Sequence, residues 1–387
     1  MWRPGQPPHY IKKNRVFMVE IKKLGFGLMR LPLMDGNDPT SIDYEQVCRM
    51  VDTFIDRGFT YFDTAYMYHN GESEKMVKKA LVSRHKRDTF TLATKMPTMH
   101  LRIAGDMPRI FAEQCEKCGV DYFDYYLIHC LNTGLYDTAT RLKTFEFCEN
   151  LKREGKIKKL GFSFHDKADV LERILHDHPD VDFIQLQINY LDWEDAGVQS
   201  RLCYEVARKY DKNIVIMEPV KGGTLASVPE GVEKMFKEIN PDLSVPSWAI
   251  RFVAGLPNVA MVLSGMSNYE QLLDNTSYMQ DFKPLSEAEM DAVWKAADMI
   301  KTKISIGCTA CHYCTDGCPM QIPIPEIFNV VNRRKGQPEF RTLREYAIVT
   351  TDKGKASDCI ACGQCEAICP QHLPIIELLE KARALEA

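Results

Sequence analysis

Eight of the chain's 14 cysteines fall into two runs of one pattern. The first is Cys308-x2-Cys311-x2-Cys314-x3-Cys318-Pro319, and the second, 51 residues later, is Cys359-x2-Cys362-x2-Cys365-x3-Cys369-Pro370. Three thiolates spaced by two residues can wrap an iron-sulfur cube from one side, while a fourth beyond a turn reaches a neighbouring cube. By that crossover Cys308, Cys311, Cys314 and Cys369 hold one 4Fe-4S cluster, and Cys359, Cys362, Cys365 and Cys318 hold the other. Zinc sites draw instead on two C-x2-C pairs across a loop, without the triplet that ends in Cys-Pro. The chemistry implied by this end of the chain is one-electron transfer.

A second set of residues suits proton transfer at a carbonyl. The segment Asp63-Thr64-Ala65-Tyr66-Met67-Tyr68 is followed by Lys95 and His129. A phenol with a pKa near ~10 is a poor general acid by itself, and an ammonium fixed by a carboxylate can stabilise its phenolate. Lys95 and Asp63 fit those roles beside Tyr68, tuning it toward neutrality. His129 can hydrogen-bond a substrate carbonyl and orient it for hydride attack.

The elements that must position these groups alternate in type. Short β-rich runs at Leu24–Leu31, Thr60–Asp63, Thr89–Thr94, Tyr125–His129, Lys158–Ser163, Phe183–Gln187, Ile214–Met217 and Val259–Leu263 are separated by amphipathic helical stretches such as Asp43–Arg57, Glu72–Leu81 and Val198–Tyr210. Eight β-α units over roughly 260 residues predict a closed (β/α)8 TIM barrel. No G-x-G-x-x-G follows the first strand, as a doubly wound sheet would favour. The predicted strands end in polar residues, Asp63, Lys95, His129, Ser163, Gln185 with Gln187, and Glu218, at the rim where barrels keep their chemistry. A helix over Ser286–Thr302, with Glu289 completing a capping box, closes the barrel. The organisation expected is a tail over 1–17, a barrel over 18–303 and a cluster domain over 304–387. Helical apolar spacing at Ile324–Arg334 makes that last domain a mainly helical, two-cluster ferredoxin-like one.

The barrel motifs LGFGLMRLP (24–32), FDTAYMYHNGESE (62–74), LATK (92–95), YYLIH (125–129) and GFSFHD (161–166), in this order, resemble those of the aldo/keto reductases. With MEPVKGGTL (217–225) and two cysteine quartets, the chain resembles the branch carrying a C-terminal 4Fe-4S ferredoxin-type domain. The resemblance implies a catalytic tetrad at Asp63, Tyr68, Lys95 and His129, and nicotinamide-carboxamide contacts at Ser163 and Gln185, with Gly27 among the cofactor contacts. Asp274 and Asn275 keep the adenine-side pattern. Three positions depart from it: Phe164 replaces an Asn, Met217 an aromatic residue that stacks on the nicotinamide, and Gln271 an arginine that pairs a 2′-phosphate. No Lys or Arg occurs from Ser264 through Asn275, which favours NADH over NADPH. A flavin, or no diffusible nucleotide, remains open. Lys221, Gly222 and Gly223 could cradle a pyrophosphate through backbone N–H groups.

Other features carry blander readings. Cys115-x2-Cys118 lacks a second pair and reads as packing thiols, and the methionines at strand ends read as pocket lining or core. Gln187 shares strand parity with Gln185 and competes for its role. His165 touches substrate or packs a loop, and Glu218 binds a ribose hydroxyl or a lysine. The formal net charge of −4 and the lack of a basic run argue against nucleic acid. No apolar stretch suits a membrane span and nothing near Met1 resembles a signal peptide, so a cytoplasmic location is expected, with Met18 as an alternative start.

Together these readings describe an iron-sulfur oxidoreductase that reduces a carbonyl or oxidises an alcohol, with a ferredoxin or flavoprotein as its one-electron partner. A nicotinamide delivers two electrons as a hydride while a cluster takes one, so exchange between them needs a relay. The alternatives are an NAD-dependent barrel with structural or sensory clusters, a ferredoxin- or flavoprotein-dependent reductase without nicotinamide, and a non-catalytic electron-transfer subunit.

Overall fold

In a computed structural model, residues 22–386 are described except 37 and 335–337. The 1–17 tail and the alternative start at Met18 lie outside the described residues. Eight parallel strands close a barrel in chain order: β1 (Leu24–Gly27), β2 (Tyr61–Asp63), β3 (Thr91–Met96), β4 (Phe123–Leu131), β5 (Ile157–Phe164), β6 (Phe183–Gln187), β7 (Asn213–Met217) and β8 (Val259–Ser264). The β1 strand pairs with both β2 and β8, which completes the closure.

Side-chain alternation explains where the chemistry lies. Tyr61, Ala93, Leu127, Phe183, Val215, Met261 and Leu263 form one buried cluster inside the barrel. Asp63, Lys95, His129, Gln185 and Met217 each lie two residues further along the same strands, so the same parity turns them inward one layer nearer the mouth. The apolar layers fill the lower barrel, and the polar layer starts where the strands end. Outside, helices lay their apolar faces on the sheet: Tyr44–Asp56, capped by Asp43 accepting from Gln46 N at 3.0 Å, buries Val47, Met50, Val51 and Phe54.

Two strands depart most from their expected lengths, and β3 lies two residues later than expected, at Thr91–Met96. The β1 strand stops at Gly27, because Leu28–Arg30 tighten into a 3-10 turn, and not at Leu31. The β4 strand runs on to Leu131, its register with β5 shifting between Ile128 and Leu131, where Cys130 takes a φ of 58°. The closing helix spans Glu287–Lys301, with Ser286 and Glu289 in a reciprocal capping box. Glu289 also pairs Arg251 at 2.7 and 3.0 Å, tying this helix to Val245–Ala254.

The C-terminal region is helical, with segments at Tyr313–Asp316, Ile324–Arg333, Glu339–Val349, Gln364–Ile368 and Ile375–Ala382. Its own core comprises Ile306, Ile322, Ile327, Phe328, Val330, Tyr346, Ile375 and Leu379. The two cysteine runs repeat one local plan. A short helix lies inside each run, and Pro323 or Pro374 then starts a longer one whose first residue, Ile324 or Ile375, is buried. No described helix is long and apolar enough to cross a membrane.

Candidate active site

The cavity at the barrel mouth measures about 510 Å³ and is lined by Asp63, Tyr68, Lys95 and His129 together. Lys95, fully buried on β3, donates to Asp63 Oδ1 at 2.6 Å, to the Thr64 carbonyl at 2.7 Å and to the Tyr68 hydroxyl at 3.3 Å. Tyr68 stands on a 3-10 turn, Tyr68–Gly71, that bends back through His69 and Asn70, both with φ 53°. The His129 ring faces the Tyr68 ring edge-on at 6.1 Å, and His129 Nδ1 is buried without a partner.

Burial dominates the electrostatics of this group. The Tyr68 hydroxyl is pushed up to about 12 by desolvation, against which the Lys95 ammonium pulls down. The expected tuning of Tyr68 toward neutrality is therefore corrected: one ammonium does not offset full desolvation, particularly with Asp63 neutralising it. For Lys95, burial lowers the pKa, but the Asp63 carboxylate and the Tyr68 oxygen together carry it above its ordinary value. His129 is held well below the usual imidazole range by burial and by Lys95, His165 and His100. The site at neutral pH thus holds a protonated phenol, a charged lysine and a neutral imidazole, the set needed to donate to a carbonyl oxygen.

The same cavity continues past Gly27, Ser163, Gln185 and Met217 to Gln271, Asp274 and Asn275. Ser163 and Gln185 are register partners on β5 and β6. Ser163 Oγ accepts from Cys130 N at 2.8 Å, whereas Gln185 Oε1 is buried with no partner, an acceptor open to a carboxamide N–H. Gln187 is turned to Asp192, donating at 3.2 Å. Asn275 donates to Ser264 Oγ at 2.7 Å and accepts from Tyr278, and Asp274 accepts from Ser244 at 2.7 Å.

Lys221 departs from the cradle expected of it. The backbone N–H groups of that cradle are already engaged, Lys221 N donating to the Glu218 carbonyl at 3.0 Å and Gly223 N to the Val220 carbonyl at 3.1 Å, while the buried Lys221 ammonium donates to Asp192 Oδ1 at 2.5 Å and to Gln371 Oε1 of the cluster domain at 2.9 Å. Gly222, at φ 61°, lies against the cluster domain so closely that a Cβ would come 2.3 Å from the Thr309 carbonyl oxygen. Its N–H is taken by Glu218 Oε2 at 2.5 Å. Glu218 also faces Arg30 at 3.5 Å, an arginine of the barrel and not the cluster-side lysine considered for it. His165 lines the cavity, its Nδ1 unpartnered and its pKa lowered to about 4 by burial and by the approach of His372 and Lys95.

The eight cluster-domain cysteines divide into two sets. Cys308, Cys311, Cys314 and Cys369 line one small cavity, and Cys318, Cys359, Cys362 and Cys365 line a second. Each set takes three thiols from one run and the last thiol of the other, the donor arrangement a pair of 4Fe-4S cubes requires. Among the described residues no group of three His, Cys, Asp or Glu side chains converges on a single ion position. Thr309, Cys311 and Pro370 line both the first of these cavities and the barrel cavity. Cys362 of the second set is exposed, next to Ile360 at 60% exposure.

The aldo/keto reductase family profile matches residues 23–298. The chain belongs to the aldo/keto reductase family. A 4Fe-4S dicluster domain follows at residues 307–373. This aldo/keto reductase is 23% identical over 300 residues to the uncharacterized oxidoreductase YqkF of Bacillus subtilis, covering 71% of this chain and 92% of that one. A shorter match, 34% over 122 residues, covers 30% of this chain and 39% of the methylglyoxal reductase YeaE of Escherichia coli. Among solved structures, the aldo-keto reductase AKR11C1 of Bacillus halodurans in its holo form superposes with a TM-score of 0.55 at 23% identity, over 71% of this chain and 91% of that one. An aldo-keto reductase of Klebsiella pneumoniae in complex with NADPH gives 0.54 at 20% identity, over 71% and 90%. At these identities the likeness is one of fold.

Several residues at the aldo/keto reductase site had no sequence signal of their own. Arg30, from the turn after β1, donates to the Thr309 carbonyl at 2.8 Å and brings a cation to the cavity rim. Tyr313, inside the first cysteine run, lines the cavity with its ring 6.4 Å from that of His129. Glu74 and Gln114 brace β3 from behind: Glu74 Oε1 accepts from Thr94 and from Gln114, each at 2.8 Å, and Gln114 donates to the Lys95 carbonyl at 2.9 Å. Arg30 and Glu74 lie in the LGFGLMRLP and GESE stretches without a role readable there, whereas Tyr313 is brought in only by the docking of the second domain.

Proposed function

We propose that this aldo/keto reductase reduces a carbonyl, or oxidises an alcohol, with Tyr68 as the proton donor and acceptor. The observation that carries the reading is the triple donation of Lys95, to Asp63, to the Thr64 carbonyl and to Tyr68, within the cavity that His129 faces. Asp63 keeps Lys95 charged, Lys95 stabilises the phenolate left after proton transfer, and His129 orients the carbonyl oxygen toward Tyr68. A bound nicotinamide supplies the hydride. Gln185 Oε1 and Ser163 are the groups suited to its carboxamide, and the Gln271–Asn275 end suits its adenosine. At that end Gln271 accepts from Ser267 N at 2.7 Å, Asp274 adds a carboxylate, and no cation stands within residues 264–275, which supports NADH as the preferred form.

Two 4Fe-4S clusters, held by the cysteine sets described above, would form a one-electron path. The wall shared by Cys311 and the barrel cavity, together with the exposure of Cys362, supports electron exchange with a ferredoxin or flavoprotein at the outer set and with the cavity at the inner one. A flavin in the cavity would be the relay such an exchange with a hydride donor needs. The second reading, an NAD-dependent barrel with structural clusters, is favoured by the Lys221–Gln371 bond, since an intact cluster domain then completes a buried barrel network.

The test uses anaerobically purified protein carrying its iron. With carbonyl substrate and NADH, Tyr68→Phe is expected to lower kcat by about 10²–10⁴-fold with KM little changed. Wild-type activity in Tyr68→Phe sinks the proposed chemistry. Bleaching of the cluster absorbance by NADH supports the electron path, and oxidised clusters during NADH turnover support the structural reading.

A further inference from the structure

The barrel's own loops leave part of its mouth uncovered. Substrate pockets of such barrels are built by the loops that follow the strands. After β4, which carries His129, the next helix starts at Thr133 and its cap is Asn132, so a single residue connects them. No β4 loop exists to cover the carbonyl-binding end of the cavity. The cluster domain lies there instead: Asn132 Nδ2 donates to the Ala367 carbonyl at 3.3 Å, and Tyr313 reaches past the rim to His129.

Tyr313 is held there by both domains. Its ring meets that of His129 at 85°, and its hydroxyl lies beside the Cys130 thiol. Cys130 presents that thiol because the strand bulges at this point, in a left-handed conformation that a non-glycine residue adopts at a cost. On the other side Tyr313 is bracketed by Cys311 and Cys314 of the inner set and opens the helix Tyr313–Asp316.

Resting on the carbonyl chemistry proposed above, we infer that Tyr313 is a substrate-contacting residue that sets the upper size of the carbonyl compound admitted against Tyr68 and His129. The active site is composite: the barrel supplies the proton donor, and the cluster domain supplies the wall that selects the substrate. The class admitted is small carbonyls whose substituents fit under a phenol ring, and bulky aromatic carbonyls are excluded by contact with it.

The experiment compares wild type, Tyr313→Ala and Tyr313→Leu with propanal and 4-nitrobenzaldehyde, on protein whose iron content matches wild type. Tyr313→Ala is expected to shift the ratio of kcat/KM toward the aromatic aldehyde by about 10–100-fold, chiefly through KM, and Tyr313→Leu by less. The dissociation constant for NADH, read by fluorescence, stays unchanged. The electron paramagnetic resonance of the reduced protein provides a second readout: propanal perturbs the inner-cluster signal in wild type and not in Tyr313→Ala. An unchanged aldehyde ratio in both variants overturns the inference. Full activity in Tyr68→Phe would instead bring down the chemistry beneath it, so the two failures are distinguishable.

Discussion

Lys221 of the barrel and Gln371 of the cluster domain are joined by a buried hydrogen bond of 2.9 Å, while the same ammonium forms an ion pair with Asp192. The pair sits between the loop after β7 and the end of the second cysteine run, so the domains share one desolvated charge. Lys221→Met leaves Asp192 buried with only the neutral donors Gln187 and Asn189. Its expected cost is about 3–5 kcal/mol, against about 1 kcal/mol for Gln371→Leu, where the ion pair survives. Urea unfolding of the iron-loaded variants checks the order, and equal midpoints would contradict it. Gly222→Ala should act on the same seam, since its Cβ would meet the Thr309 backbone at 2.3 Å.

Pairing of the cysteines across the two runs can be read by iron counting. Cys369→Ser and Cys311→Ser each should remove about half of the iron, and the double variant no more than either, because both thiols face the same cavity. Cys311→Ser with Cys318→Ser should remove nearly all of it, as Cys318 faces the other cavity. Total iron loss in Cys311→Ser/Cys369→Ser would show that each run holds its own cluster.

The two directions of the reaction should respond differently to pH. In the proposed chemistry reduction needs Tyr68 protonated, and with its hydroxyl pushed up to about 12 the proton stays on throughout the neutral range. Alcohol oxidation needs the phenolate, whose fraction grows about tenfold per pH unit below that value. The oxidation rate should therefore climb from about pH 7 to about pH 10 while the reduction rate shows no Tyr68 titration. A reduction rate that falls through an apparent pKa near ~7 would place the proton on a different group.

Nucleotide preference should turn on one position. Gln271 now spends its carboxamide on Ser267 N, and an arginine there would offer a charge-assisted fork to a 2′-phosphate. Gln271→Arg is expected to tighten NADPH by about tenfold with little effect on NADH, the worth of one exposed charge-assisted bond. Fluorescence titration with both nucleotides measures it. Equal changes for the two would detach the preference from this residue.

Local chemistry explains how much was legible beforehand. Strand periodicity set the eight β-α units, because alternation of buried and exposed side chains is a property of neighbours along the chain. Their places at the strand ends put Asp63, Lys95 and His129 at one rim of the predicted barrel, and the cysteine spacing carried its own ligand geometry. Helix ends at Asp43 and Ser286 were readable because a cap is a contact within three residues. What the amino-acid sequence could not reveal depends on long-range packing. Burial, and not the Lys95 charge, decides the proton affinity of Tyr68, since desolvation depends on the atoms that all eight strands bring around it. The Lys221 side chain carries no sign of its partner until Gln371, 150 residues away, is found to claim it. Tyr313 carries no sign of barrel chemistry between two cysteines. It reaches His129 only because the one-residue connection at Asn132 leaves room for the second domain to dock at the mouth.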